Sequence, residues 1–376
     1  MIARRILVCS CLPRRRLHRL AVALTWLTFC STASGDEQFH DSGIKVTVGS
    51  STFVSARFDA VVHKLADGSL FVHGNRSIDG GLTWIQSPAA VRASFHDRWS
   101  QSPGCVLRDG TFIGLGGKNE FTRLENRILK IYRSIDNLET ITGPIDATLE
   151  MPQGTGGRSE TGEYSGAAVI DHGLIELGDG TLVASAYGWW QGDEEYSMLE
   201  KYVPEMNMYK TRAWVIASTD GGHTWQTRGT PEYWPELGAE GMGEPGMVQL
   251  ANGDLLMVLR NGEWGEPIFQ TRSPDGGRTW SKPEKLPATG VWPTPRLMSN
   301  GLLVLAVGRG RPPHYQLWVS PDGRGETWTS RTLVGEGGKG YASAVEVAPG
   351  KLVYTGYNKQ ERALQVWQID VERTAE

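Results

Sequence analysis

Short apolar runs follow one another along most of the chain, and at six places a tight dipeptide separates two of them. The dipeptides are Asp67-Gly68, Asp109-Gly110, Asp179-Gly180, Asn252-Gly253, Asn300-Gly301 and Pro349-Gly350. Leu255-Leu256-Met257-Val258-Leu259 follows the fourth, and Leu302-Leu303-Val304-Leu305-Ala306-Val307 follows the fifth. Asx-Gly between apolar runs supplies the positive φ of a tight hairpin, so each dipeptide predicts two antiparallel strands.

A second pattern, Ser-x-Asp-x-Gly-x-Thr-Trp, interleaves with the hairpins. It is complete at Ser77–Trp84, Ser218–Trp225 and Ser273–Trp280, has one extra residue at Ser320–Trp328, and lacks its glycines and tryptophan at Ser134–Ile141. Asp in such a turn accepts hydrogen bonds from N–H groups just downstream, and Gly supplies the positive φ. The Thr then starts a strand, and the Trp is expected to cover a seam between sheets. A lone Asp among glycines lacks the other oxygen ligands that calcium takes, so the motif reads as structural. Every hairpin except the last is followed by one such Asp box. Six units of about four strands predict an all-β fold, a six-bladed β-propeller with Asp-box repeats.

Strand direction then sorts the charged residues. If the first strand of a unit runs down to the Asx-Gly turn, the second climbs back and the third descends to the Asp box. Both turn families therefore share one face. Arg57, Glu244, Arg260, Arg311 and Tyr341 all fall at strand ends on the other face. Propellers bind ligands at such a rim, around the central channel. The longest excursion, residues 186–209, carries Trp189 and Trp190, which can either stack on a sugar or pack their own loop.

The first 35 residues differ in kind. Six arginines and no acid precede an apolar stretch, Leu20–Phe29, and then Ser31-Thr32-Ala33-Ser34-Gly35. The stretch is too short to span a bilayer, which needs about 20 residues, and reads as a secretory signal peptide. The expected mature chain is then residues 36–376, exported to the periplasm or the extracellular space and not stably inserted in a membrane. Its net charge moves from −4 to about −10 as the leader arginines go, and Cys105 stays alone without a disulfide partner. An acidic surface with no basic run argues against nucleic acid as a partner. The histidines are scattered and no Cys/His cluster exists, so neither a metal nor another cofactor is expected.

The boxes, the blade number and the rim residues together resemble the sialidase (neuraminidase) superfamily. Ala56-Arg57-Phe58-Asp59 is similar to the site of its first arginine, Gly243-Glu244-Pro245 through Arg260-Asn261 to the segment with its Glu and second arginine, Gly310-Arg311-Pro312 to the third, and Gly340-Tyr341-Ala342-Ser343 to its nucleophile. The resemblance implies an exo-acting glycoside hydrolase that releases a terminal acidic sugar, most simply sialic acid, from a glycan or glycoconjugate. Tyr341 would attack, Glu244 would activate it, and Arg57, Arg260 and Arg311 would grip the sugar carboxylate bidentately. A neutral phenol avoids the repulsion that a carboxylate nucleophile would meet at that carbon. The family's acid Asp has no counterpart in His73-Gly74-Asn75-Arg76, which leaves Asp59 and Asp97 as candidates. A hydrolase or lyase for another sugar and a non-catalytic glycan-binding propeller remain the alternatives. The leader makes a first expectation: exported material begins near Gly35–Asp36, and N-terminal sequencing that returns residues 1–20 would refute it.

Overall fold

Asp79 shows how one repeat folds. Its Oδ1 accepts from the Ser77 hydroxyl at 2.8 Å and from the Thr83 N–H at 2.9 Å, while the Gly81 N–H donates to Ser77 Oγ at 2.8 Å. Gly80 and Gly81 both have positive φ, so the chain can curl around the carboxylate. The same bonds recur about Asp220, Asp275 and, one residue longer, Asp322. They recur also in the incomplete copy: the Thr140 N–H donates to Asp136 and the Leu138 N–H to Ser134 Oγ. There Asn137 and Leu138 take the positive φ that glycine takes elsewhere. Leu138 is buried against Leu65, Phe71 and Phe112, so packing across a seam offsets the backbone strain.

The computed structural model describes residues 43–54, 61–94, 104–116, 128–152, 169–170, 173–193, 209–233, 240–262, 266–311, 314–335 and 340–374. These form six blades of antiparallel strands. Blade one runs His63–Lys64, Leu70–Val72, Asn75–Ser77 and Ile85–Gln86, with a short helix, Ala89–Ser94, behind it. Blade two is Gly104–Val106, Phe112–Gly116, Ile128–Ser134 and Thr142–Glu150. Blade three starts with two short pieces, Val169–Ile170 and Ile175–Glu176, and continues through Leu182–Gly188, Arg212–Ser218 and Thr224–Gly229. Its outer strand also pairs in parallel with that of blade two, Trp225 opposite Leu149, which fuses two blades into one sheet. Blade four is Gly243–Gln249, Leu255–Arg260, Pro267–Ser273 and Glu284–Thr289; blade five is Val291–Leu297, Leu303–Gly308, Tyr315–Ser320 and Ser330–Val334.

Blade six has three consecutive strands, Ala342–Ala348, Lys351–Asn358 and Ala363–Arg373. Its fourth comes from the other end of the described chain: Ile44–Val54 pairs with Ala363–Arg373, Val46 opposite Val371. The Asp box joins the third strand of a blade to its fourth, and in blade six that fourth strand is Ile44–Val54, so the last hairpin carries no Asp box. Val54, Leu70 and Val72 meet Val353, Leu364 and Val366 at the closing seam. The tryptophans of the boxes cover such seams, as Trp225 does among Ile113, Leu149 and Leu182. Among the described residues no helix is long and apolar enough to cross a membrane.

The hydrogen bonds of the box, led by the Thr83 hydroxyl, hold the Asp79 carboxyl near pH 2. Asp275 and Asp322 also lie at about 2, because those bonds outweigh their burial. A depressed carboxyl stabilises the fold above its unfolded value of about 3.9 and loses that contribution as pH falls toward 2. Melting temperature should therefore hold down to about pH 5 and fall between about pH 4 and 2, with a shallower fall in Asp220→Ala. Circular dichroism melts across pH check this. Trp225→Ala should cost about 3–5 kcal/mol in denaturant titration without changing ligand preference, because it empties a seam far from the rim.

Candidate active site at the blade rim

Two matching bulges build the site. In blade four the register slips by one residue between Gly243 and Gly246, and in blade five between Val291 and Thr294. The displaced residues are Glu244 and Trp292, both with positive φ and both followed by proline. A bulge re-aims a side chain, and a bulky residue at positive φ persists only where its surroundings hold it. Ser185 of blade three donates to the Pro245 carbonyl at 2.7 Å and pins the first bulge. Thr294 donates to the Ala342 carbonyl at 3.1 Å and ties the second to blade six.

Glu244 thereby becomes a buried hub, its side chain only 3% exposed. Its Oε1 accepts from Arg260 Nη1 at 2.7 Å and from the Tyr341 hydroxyl at 3.0 Å, and its Oε2 accepts from the Trp292 N–H at 2.8 Å. The Tyr341 ring stacks on Trp292 with centroids 4.4 Å apart and planes 13° from parallel. The Arg309 guanidinium lies 5.1 Å from the Tyr341 ring centre. Close approach sets Tyr341 in place: a Cβ on Gly308 would collide with the Gly340 carbonyl at 2.3 Å, and Gly340 itself is crowded by Tyr315 and Tyr357. Tyr315 clamps that corner, donating to the Tyr357 carbonyl at 2.7 Å and accepting from the Gly340 N–H at 3.2 Å.

Burial, then the Glu244 carboxylate and Tyr187, push the Tyr341 phenol well above its ordinary value, against the opposing pull of Arg260 and Arg309. Burial works against the charge on Arg260, but Glu244 and Glu240 more than reverse it and raise its pKa. Arg260 Nη2 meets Glu240 Oε2 at 2.8 Å, and its Nε donates to the Gly262 carbonyl at 3.3 Å. Every nitrogen of that guanidinium therefore has a protein acceptor.

Of the rim residues read from sequence, Glu244, Arg260 and Tyr341 meet, on the face away from the turns. Arg311 does not join them. It is exposed, its backbone N–H rests on Thr289 Oγ1 at 3.1 Å, and its side chain bonds to no described residue. Arg309, two residues earlier and at φ 48°, comes over Tyr341 instead. Arg57, Asp59 and Asp97 lie outside the described residues. Trp189 is buried and donates its indole N–H to the Tyr209 carbonyl at 2.7 Å. Trp190 faces Arg212 at 4.8 Å, and Tyr233 lies 4.6 Å from the same guanidinium. Asp193 grips Arg212 with bonds of 2.9 and 2.6 Å. Both tryptophans make contacts within blade three. Glu240, Trp292, Arg309 and Tyr187 belong to no motif of the sequence; a Pro after both Glu244 and Trp292 is the one local sign of matched bulges. No group of His, Cys, Asp or Glu able to hold a metal ion occurs among the described residues.

The repeat is recognisable at family level. A model of the BNR repeat-like domain matches residues 157–354, more than half of the chain. The chain belongs to that family. No curated protein matches it. Among solved structures it is similar to a Dyadobacter fermentans protein of unknown function, with TM-score 0.63, 16% identity, and 88% and 100% of the two chains covered. It is similar also to the Hadza microbial sialidase Hz136, with TM-score 0.57, 18% identity, 85% of this chain and 66% of that one. A third is the GH93 α-L-arabinofuranosidase of Fusarium graminearum in complex with arabinobiose, with TM-score 0.57, 13% identity, 87% of this chain and 98% of that one. These likenesses establish a sialidase-like BNR propeller, a fold shared with glycoside hydrolases.

The Arg212–Asp193 pair is buried, with side chains 14% and 4% exposed. Removing one partner of such a pair costs about 3–5 kcal/mol. Asp193→Asn should lower stability by that order in urea titration and leave any rim activity per folded molecule unchanged.

Proposed function

We propose that the chain is an exo-acting glycoside hydrolase with Tyr341 as nucleophile and Glu244 as its base. The observation that carries this reading is the 3.0 Å hydrogen bond from the Tyr341 hydroxyl to a buried carboxylate at the propeller rim. Glu244 cannot itself reach a sugar easily: it is the more deeply buried of the two, and both its oxygens already accept bonds. The phenol belongs to Tyr341, the less buried residue of the pair. It stays neutral at physiological pH and becomes a nucleophile only as its proton passes to Glu244 Oε1. In the first step the tyrosyl oxygen bonds to the anomeric carbon, the glycosidic oxygen leaves, and an acid protonates it. In the second, water cleaves the glycosyl-tyrosine with the proton flow reversed, so configuration is retained. Asp59 and Asp97 remain the candidates for the acid.

Sialic acid is the sugar implied by the sialidase resemblance, and a three-arginine clamp would support it. The charges of Arg260 and Arg309 both act on the Tyr341 phenol. The bonds of Arg260 to two glutamates favour a second reading, in which the same residues act on a different glycosyl group.

A panel of chromogenic sialoside, uronide, arabinofuranoside and rhamnoside reporters tests the reaction. Tyr341→Phe should lower turnover by ~10³-fold or more while ligand binding survives, and Glu244→Gln should lower it by roughly 10²–10⁴-fold. Full activity in Tyr341→Phe would refute the tyrosine mechanism. Absence of turnover on every reporter, with binding retained, would favour a glycan-binding propeller.

A further inference from the structure

The first strand of every blade carries a residue four places before its hairpin dipeptide: His63, Cys105, Ile175, Val248, Arg296 and Val345. An equal offset from equivalent turns sets the six at one level of the central channel, on the turn side and away from Tyr341. First strands of neighbouring blades touch one another, blade five against four and six, and blade one against six and two. Three residues of this ring are aliphatic, and only Arg296 carries a full charge. We propose that the ring is a binding site for a monovalent anion of halide size, held in the channel by Arg296.

Arg296 is a part-buried cation whose protein partners do not balance it. Its Nε donates to the Ala344 carbonyl of blade six at 3.1 Å, and among the described residues no carboxylate pairs with it. Burial accordingly weakens its hold on its proton. Its charge acts on His63 of blade one and on Cys105 of blade two, which places the guanidinium within reach of both across the channel. The acids beside the ring are engaged elsewhere. Glu176 accepts from the Arg108 N–H at 2.7 Å and from Arg108 Nη2 at 3.2 Å. Glu346 accepts from the Ser299 N–H at 2.7 Å, the Ser299 hydroxyl at 2.9 Å and the Gly350 N–H at 3.0 Å. Nor does the Cys105 thiol serve as counter-ion, because burial, and then Glu176, push its pKa up to about 12. A cation taken from water without a partner is costly, and an anion in the channel relieves that cost.

The ring also sets the class of anion. His63 is neutral at physiological pH, since burial and then Arg296 lower its pKa to about 4. One cation therefore balances one negative charge, and a dianion would carry surplus charge into an apolar setting. Ile175, Val248 and Val345 offer no side-chain donors, and a thiol donates only weakly. Such walls suit a weakly hydrated sphere better than an oxyanion that needs several donors. The ring is rigid on the side of blades one and two. The His63 ring meets Phe112 edge-on at 5.4 Å, and a Cβ on Gly104 would strike Phe112 at 2.7 Å.

Bromide is the probe, because its anomalous scattering locates it. Crystals of the full chain grown in sodium bromide should show an anomalous peak within hydrogen-bond distance of an Arg296 Nη atom. No peak there overturns the proposal, and so does loss of the peak to an equal concentration of sulfate. Melting at constant ionic strength tests the site in solution. Exchanging gluconate for bromide should raise the wild-type Tm by about 2 °C or more relative to the same exchange in Arg296→Met. That variant keeps an aliphatic stem without the charge, and its bromide affinity should fall roughly tenfold or more. A folded Arg296→Met that responds to bromide as the wild type does overturns the proposal. The crystal result needs no variant, so it decides even if Arg296→Met does not fold.

Discussion

Ring closure is the constraint on which the rest of this protein depends. A blade is a twisted sheet with two apolar faces, and each face stays dry only if a neighbouring blade covers it. Five blades can be covered by their sequence neighbours; the sixth and the first must find each other. Pairing Ile44–Val54 with Ala363–Arg373 accomplishes this across almost the full described chain. Closing so long a loop costs little more entropy than closing a short one, because the penalty grows only with the logarithm of length. The backbone bonds of that pairing and the aliphatic seam from Val54 to Val366 meet the cost.

The rim site inherits its geometry from the closed ring. Tyr341 belongs to blade six, Trp292 and Arg309 to blade five, Glu244 and Arg260 to blade four, and Tyr187 to blade three. None of these contacts is local in sequence. Neighbouring blades stand at a fixed angle, so a bulge on one aims its side chain at the next. Strain at Glu244, Trp292 and Arg309 is tolerated because Ser185, Thr294 and the crowded Gly308–Gly340 contact fix the backbone from adjacent blades. The same closeness sets the electrostatics. A guanidinium between two carboxylates keeps its charge, and a phenol beside one of them keeps its proton.

The Asp boxes serve the ring from the other face. Their carboxylates take up backbone N–H groups that would otherwise lack partners at a sharp corner, and their tryptophans fill the seams. Separation of the two faces lets the turns carry stability and leaves the rim to the Glu244, Arg260 and Tyr341 cluster.

By itself the sequence determined what depends on neighbouring residues: the hairpins, the Asp boxes, the number of blades, and which strand ends share a rim with Glu244, Arg260 and Tyr341. Turn chemistry and alternation act over a few residues, so they are written locally. Tertiary structure decided the rest. It completed blade six with a strand from the far end and let Leu138 stand where glycine was expected, because burial against Phe71 and Phe112 outweighs its backbone preference. It brought Arg309 rather than Arg311 over Tyr341, although the two stand in one Gly-Arg-Gly-Arg run. It turned Trp190 toward Arg212 and placed Glu240 on Arg260. Each outcome turns on one dihedral angle or on a partner from another strand or blade, and such distances are set by packing, which no short stretch of residues specifies.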